Sequence, residues 1–358
     1  NRDFIAELEA LALKERANEE VDMPEEEIVA LVASIYGAFS IGKFEIADVD
    51  ISGPEIKTAR LGSYGMTDLS SEGLGSFYMQ GIDLVLTNGD VFKYGKSTIE
   101  NVGFPDLSAL IALEKNVEAQ NIQEVLKGIH NIGRIENSGL DFQITEEDIE
   151  FSLGKSVLEM TDHIGPVPTR IAVDVDNLKA PVDKMDDEPR QVFEQMGYST
   201  IDASYDMQLQ WDEATLDLNV TLDAELADGG RLKGDAKLGS IPRLVFEKPD
   251  QTAIFSLFAT TLKNVDLEFE DQSIVERGLS FAAAANGTDV DTIKAQAFAL
   301  APVMLGQIGA AELAADVTAA MRGIIDNGSK LVASAAPVTP LPLVSLGSLA
   351  QSDPAALI

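Results

Sequence analysis

Ile201-Asp-Ala-Ser-Tyr-Asp-Met-Gln-Leu-Gln-Trp211 sets apolar residues at every second position against Asp202, Ser204, Asp206, Gln208 and Gln210. After a short turn, Leu216, Leu218, Val220, Leu222 and Ala224 alternate in the same way with Asp217, Asn219, Thr221 and Asp223. A strict period of two over this length predicts antiparallel strands with one apolar and one wet face. Asp228-Gly229-Gly230 turns the chain again, into a third strand over Leu232–Leu238. Asp217 and Thr221 are assigned to the wet face, where lysine should be tolerated. Leu218 and Val220 are assigned to the core, where aspartate should unfold this half of the chain.

Upstream, an apolar residue, a glycine and a small or basic residue recur at Ile41-Gly42-Lys43, Leu61-Gly62-Ser63, Leu74-Gly75-Ser76, Tyr94-Gly95-Lys96, Ile132-Gly133-Arg134 and Leu153-Gly154-Lys155. Spacings near 13 or 20 residues suit one strand, or an up-and-down pair, per unit. Each glycine is expected to mark a bulge or bend. Asn88-Gly89-Asp90 reads as a hairpin turn, and Thr145-Glu146-Glu147-Asp148 as a second one between Leu140–Ile144 and Ile149–Leu153. Two helices are expected to interrupt the ladder at about 106–130, and two amphipathic helices to precede it at 3–17 and 24–37.

Beyond the prolines at 166 and 168, Ile171, Val173 and Val175 alternate as a strand. The acidic run Asp183–Glu188 leads into a short helix ending near Gly197. Residues 250–262 lean to helix, and Val265, Leu267 and Phe269 form a further strand. Ser273-Ile-Val-Glu276 reads as a capping box opening a helix to about Ala285. Alanine-rich helices are expected at 289–304 and 309–325, then a strand at 330–335 and an extended proline-rich stretch.

The fold class is therefore α+β: a long, twisted, mostly antiparallel sheet with helices packed along its apolar face. Three regions are expected: a helical segment at 1–40, a glycine-punctuated ladder at 41–165, and a meander with an alanine-rich helical cover at 166–358. The latter two can share one continuous sheet.

The chain has 358 residues with 45% hydrophobic content, enough for a core, and 60 acidic against 26 basic residues, a net charge of −34. That charge disfavours nucleic acids and anionic headgroups as partners. There is no cysteine, which excludes disulfides, thiol catalysis and cysteine-ligated metals. No apolar run is long enough to span a membrane. The chain begins at Asn1, which accommodates a signal peptide removed on export.

Local catalytic signatures are lacking. His130 and His163 lie in different segments without helical metal-ligand spacing, and no Gly-x-Ser-x-Gly accompanies Thr161-Asp162-His163. Asp48-Val-Asp50, Asp174-Val-Asp176 and Asp289-Val-Asp291 fit no calcium loop. Neither a phosphate-binding glycine loop nor a cofactor motif is present. Trp211, the single tryptophan, is expected in the core. The reading is non-catalytic, without cofactor or metal.

The run from Met196-Gly-Tyr-Ser-Thr-Ile-Asp202 through Leu209-Gln-Trp-Asp-Glu-Ala-Thr-Leu216 resembles a segment of uncharacterised exported proteins of alphaproteobacteria. The resemblance extends over Gly165–Ile171 and Val265–Gly278, and covers about residues 40 to 358. The ladder is also similar in pattern to β-rich envelope proteins of the AsmA type. These resemblances imply an exported, periplasmic envelope protein and bring no activity or site residue. Two functions are then expected to compete. In one, a lipid or other apolar ligand lies between sheet and helices, with Phe298, Val303, Met304 and Met321 in the wall. In the other, the protein is a scaffold that binds an envelope protein partner through a sheet edge or its acidic face.

Overall fold

The computed structural model describes residues 37, 40–104, 131–165, 167–248, 251–307, 314–328 and 330–343. The helices expected at 3–17, 24–37 and 106–130 lie outside them, apart from Gly37. Among the described residues twelve strands follow one another in sequence order across a single antiparallel sheet: β1 (Ile41–Asp50), β2 (Ile56–Leu69), β3 (Gly73–Leu86), β4 (Val91–Gly103), β5 (Ile132–Ile144), β6 (Ile149–Ile164), β7 (Val167–Pro181), β8 (Thr200–Asp212), β9 (Asp217–Leu226), β10 (Gly230–Gly239), β11 (Thr261–Asp271) and β12 (Lys330–Ala335). A thirteenth, β13 (Leu341–Pro342), pairs with β11. The pairing of β6 with β7 carries the sheet through residue 165. Both expected hairpins form, and Asn88 Oδ1 accepts the Asp90 N–H at 3.1 Å to lock the first.

The recurring glycines have a common structural role. Leu61 pairs with Ile82 and Ser63 with Gln80, which leaves Gly62 opposite Gly81, at φ +65°. The same gap in the ladder recurs along one row: Asp48, Gly62, Gly81, Gly95, Gly139, Gly154 and Asn177 on β1 to β7. Asp48, Gly81, Gly139 and Asn177, on alternate strands, are left-handed. A second row joins Gly42, left-handed Asp68, Gly75, left-handed Asn101 and Gly133. The six motif glycines are thus the partners that face left-handed residues, not the left-handed residues themselves.

Space favours glycine at five of these six positions, whereas a Cβ on Gly42 would meet nothing within 4 Å. A Cβ on Gly75 would lie 2.9 Å from the Asp68 Cβ, and one on Gly133 2.8 Å from the Asn101 Cβ. Aspartate, asparagine and glycine are the residue types that tolerate the left-handed conformation.

Each row shifts the phase of the alternation. Tyr94 and Ser97 are three residues apart, yet both hydroxyls bond Asn137 Oδ1, at 2.5 and 3.0 Å. The left-handed row therefore absorbs one residue in each strand it crosses, β1 to β7, and keeps apolar side chains on one face. That is why the alternation breaks at the glycines.

Among the described residues, the helical elements with defined bounds fall between β7 and β12. α1 (Asp187–Gln195) follows a single 3₁₀ turn after β7, and α2 (Leu244–Glu247) and α3 (Gln251–Ser256) lie between β10 and β11. α4 (Ile274–Ala285), α5 (Val290–Gln307) and α6 (Ala314–Asn327) precede β12. Residues 250–262, expected to be helical, give α3, a 3₁₀ turn at Leu257–Ala259 and the start of β11. Gly328, at φ +59°, ends α6 as expected. Trp211 is buried as expected: its ring lies 4.6 Å from Phe246, and its Nε1–H donates to Ile241 O at 3.0 Å. Ile164, Val167, Leu218 and Leu238 complete this core.

Three local expectations are corrected. Ser273 does not cap α4 through its hydroxyl, which donates to Asp228 O. Asp271 Oδ1 takes the capping role, accepting the Val275 N–H at 3.0 Å. Ser273 Oγ instead accepts from Arg277 Nε at 2.7 Å, and the Arg277 guanidinium reaches Met196 O and Gly197 O while stacking 4.3 Å above the Tyr198 ring. Arg277→Ala is expected to lower stability by roughly 1–2 kcal/mol, read by thermal melting, with Arg277→Lys restoring only part.

The second correction concerns Asp217, expected on a wet face. It is buried, with its side chain 4% exposed between Lys237 at 3.2 Å and Lys263. Gly239 permits this, because a Cβ there would collide with Lys263 Cε. Leu216, expected in the core row, is left-handed and 38% exposed.

Candidate functional site

Because cross-strand partners share a face, the register defines what each face presents. One row runs through all twelve sequential strands: Phe44, Met66, Phe77, Ile99, Ile135, Leu158, Val173, Met207, Leu222, Gly234, Leu267 and Ala333. Flanking rows on the same face include the aromatic set Phe92, Phe142 and Phe151, whose neighbouring ring centroids are 6.1 and 5.1 Å apart. This apolar surface is unusually accessible for a core face. Phe44 is 40%, Ile46 44% and Leu267 45% exposed. Near its C-terminal end, Tyr205, Leu222, Leu226, Leu232, Phe269 and Ile274 line an open depression of about 370 Å³ with almost wholly apolar walls.

The opposite face is a lattice of alternating charge. Lys96 meets Glu136 at 3.4 Å, Arg134 meets Glu136 at 3.1 Å and also Glu159, and Lys155 meets Asp174 at 2.9 Å. The Arg134 hydrogen bond holds the Glu136 carboxyl below its usual range against partial burial. Arg231 grips Asp223 through two bonds of 2.6 Å, which lowers that carboxyl likewise. Asp174, Asp206, Asp223 and Arg231 edge a depression of about 290 Å³ on this face.

Among the described residues no group of three or more His, Asp or Glu is placed to hold a metal ion. Asp289 serves instead as an acceptor for the Thr292 N–H and hydroxyl, which lowers its carboxyl pKa. His163 sits in β6 opposite Pro168, where burial holds its imidazole below the ordinary value while Asp162 pulls it the other way. His130 lies outside the described residues.

The four wall residues expected from sequence fall on two helices. Phe298, half-buried on α5, carries the Arg322 guanidinium 4.4 Å above its ring, and Met321 is half-buried on α6. Val303 and Met304, on α5, are 54% and 62% exposed. The main packing partners of α5 are α4 and α6. Sequence reading missed a group on the sheet itself. Tyr94, Ser97, Asn137 and Ser156 form a polar patch inside the apolar face, with Asn137 Nδ2 donating to Ser156 Oγ at 3.2 Å. Its signal is a polar residue in an apolar row, legible only once the glycine phase shift is applied.

No helix among the described residues is long and apolar enough to cross a membrane. Residues 223–358 match the model of a family described only as an uncharacterized protein, a match that begins in β9 and takes in the C-terminal helices. No curated protein matches the chain.

Proposed function

We propose that this chain is a non-catalytic cell-envelope protein that holds a lipid or other apolar ligand against the apolar face of its sheet. The observation that carries this reading is the unbroken apolar row across twelve strands, one side of a sheet whose other side is charged. A monomer seldom leaves so large a continuous apolar surface without a use for it. In this reading helices packed along that face supply the second wall, with Phe298, Val303, Met304 and Met321 contributing adaptable side chains. Placement in the periplasm after export rests on the resemblance of the 196–216 run. The alternative is a scaffold that docks an envelope protein; the charge lattice of the opposite face favours it.

Binding of the neutral dye N-phenyl-1-naphthylamine separates the two. The native protein is expected to brighten the dye saturably and to release lipid on solvent extraction. Leu232→Lys, at a position 37% exposed in the apolar depression, should weaken dye binding several-fold while changing stability by less than about 1 kcal/mol. A native protein that leaves the dye dark and carries no lipid overturns the reading in favour of the scaffold.

A further inference from the structure

The polar patch on β4, β5 and β6 sits where the apolar face is least expected to hold one. Ser97, Asn137 and Ser156 occupy one cross-strand row, on the flank of the Gly95–Gly139–Gly154 phase shift. Ile99, Ile135 and Leu158 lie in the row on one side, and Ile82, Leu140 and Leu153 on the other, where Tyr94 also lies. None of these positions is ionisable apart from the Tyr94 phenol, and the lysines and arginines of these strands belong to the opposite face.

The patch has unspent hydrogen-bonding capacity. Asn137 Oδ1 accepts from Tyr94 Oη and Ser97 Oγ, so both its lone pairs are used. Asn137 Nδ2 donates one hydrogen to Ser156 Oγ at 3.2 Å and keeps a second. Ser156 Oγ accepts that bond and keeps its own hydrogen. Two donors 3.2 Å apart therefore remain for one acceptor oxygen, while the oxygens of Tyr94 and Ser97 can still accept from a hydroxyl. A carbonyl oxygen, with two lone pairs, matches the first set, and an alcohol matches the second. A carboxylate or phosphate would bring a charge into an apolar surface with no cation beside it, at a large desolvation cost.

Resting on the apolar-ligand reading above, we infer that this patch seats the linkage of a neutral acyl ester bearing a free hydroxyl, a monoacylglycerol-type lipid. The ester carbonyl lies over Asn137 and Ser156, and the acyl chain runs along the apolar rows beside them.

The test displaces bound N-phenyl-1-naphthylamine with 1-monolaurin or with laurate at pH 8. The native protein is expected to release dye to monolaurin at a concentration about tenfold lower than to laurate. Asn137→Val and Ser156→Ala should each weaken monolaurin about five- to tenfold, the loss of one or two neutral hydrogen bonds. Dye affinity should stay within about twofold. Ser156→Ala removes only a hydroxyl and keeps the test readable if Asn137→Val perturbs the sheet. Failure of the dye to bind overturns the apolar face as a binding surface, and this inference with it. Dye binding with equal displacement by the two competitors, or with monolaurin unaffected by Ser156→Ala, overturns the inference alone and makes the patch a device that fixes strand register.

Discussion

Leu218→Asp is expected to unfold the sheet from β7 onward, whereas Thr221→Lys, three residues further along the same strand, should cost no more than about 0.5 kcal/mol. Leu218 packs against the cluster of Trp211, Ile241 and Phe246 that anchors α2 to the end of the apolar face. Truncating a core leucine costs about 2–5 kcal/mol, and the carboxylate adds the penalty of an unpaired charge. Together these approach the whole stability of an ordinary domain, about 5–15 kcal/mol. Thr221 lies between Gln208 and Asp235 on the charged face, and a lysine there gains a neighbouring carboxylate. Circular-dichroism melting of the two variants decides the matter, and similar midpoints would mean the assigned register is wrong.

Asp217, next to Leu218 in the chain, is the second sensitive point, and for the opposite reason. Its carboxylate is buried between the ammonium groups of Lys237 and Lys263. Asp217→Ala leaves two cations facing each other across Gly239. The expected loss is roughly 2–4 kcal/mol, toward the lower part of the range for breaking a buried pair because both lysines keep contact with water. Asp217→Lys should cost more, since it adds a third positive charge to the same spot. Burial alone would raise the Asp217 pKa, but the hydrogen bonds from Lys263 and Lys237 outweigh it and hold the carboxyl below its ordinary value. A folded pKa below the unfolded one gives stability that is present at neutral pH. That stability is lost as the pH falls below about 4 and through the folded value. Denaturant midpoints from pH 6 down to pH 3 should therefore fall less steeply for Asp217→Asn than for the native protein. Equal slopes would show that Asp217 carries no such linkage.

Much of this architecture was legible in the residue order. Period two from Ile201 to Ala224 marked β8 and β9, and the Asp228-Gly-Gly turn marked β10, because a half-buried strand writes its two faces into alternate positions. The glycine triplets announced the ladder of β1 to β6. Their meaning was not legible, since Gly75 is demanded by Asp68 on β2 and Gly133 by Asn101 on β4. A glycine does not reveal which atom will approach it.

The charged face shows the same limit. Asp217 and Asp223 stand in identical alternation, yet Asp217 is buried while Asp223 stays partly open beside Arg231. The difference comes from Lys263, 46 residues away, which crosses Gly239 to reach Asp217. Ser97, Asn137 and Ser156 likewise look like ordinary strand polar residues until three strands align them.

The sequence by itself determined that there would be a long antiparallel sheet with one apolar and one charged face, because alternation is a property of neighbours along the chain. Only the tertiary structure decided which glycines meet left-handed partners, which aspartate is buried, and where a polar patch interrupts the apolar rows. Those outcomes depend on side chains brought within about 3 Å by strand pairing, a distance that separation along the chain does not encode.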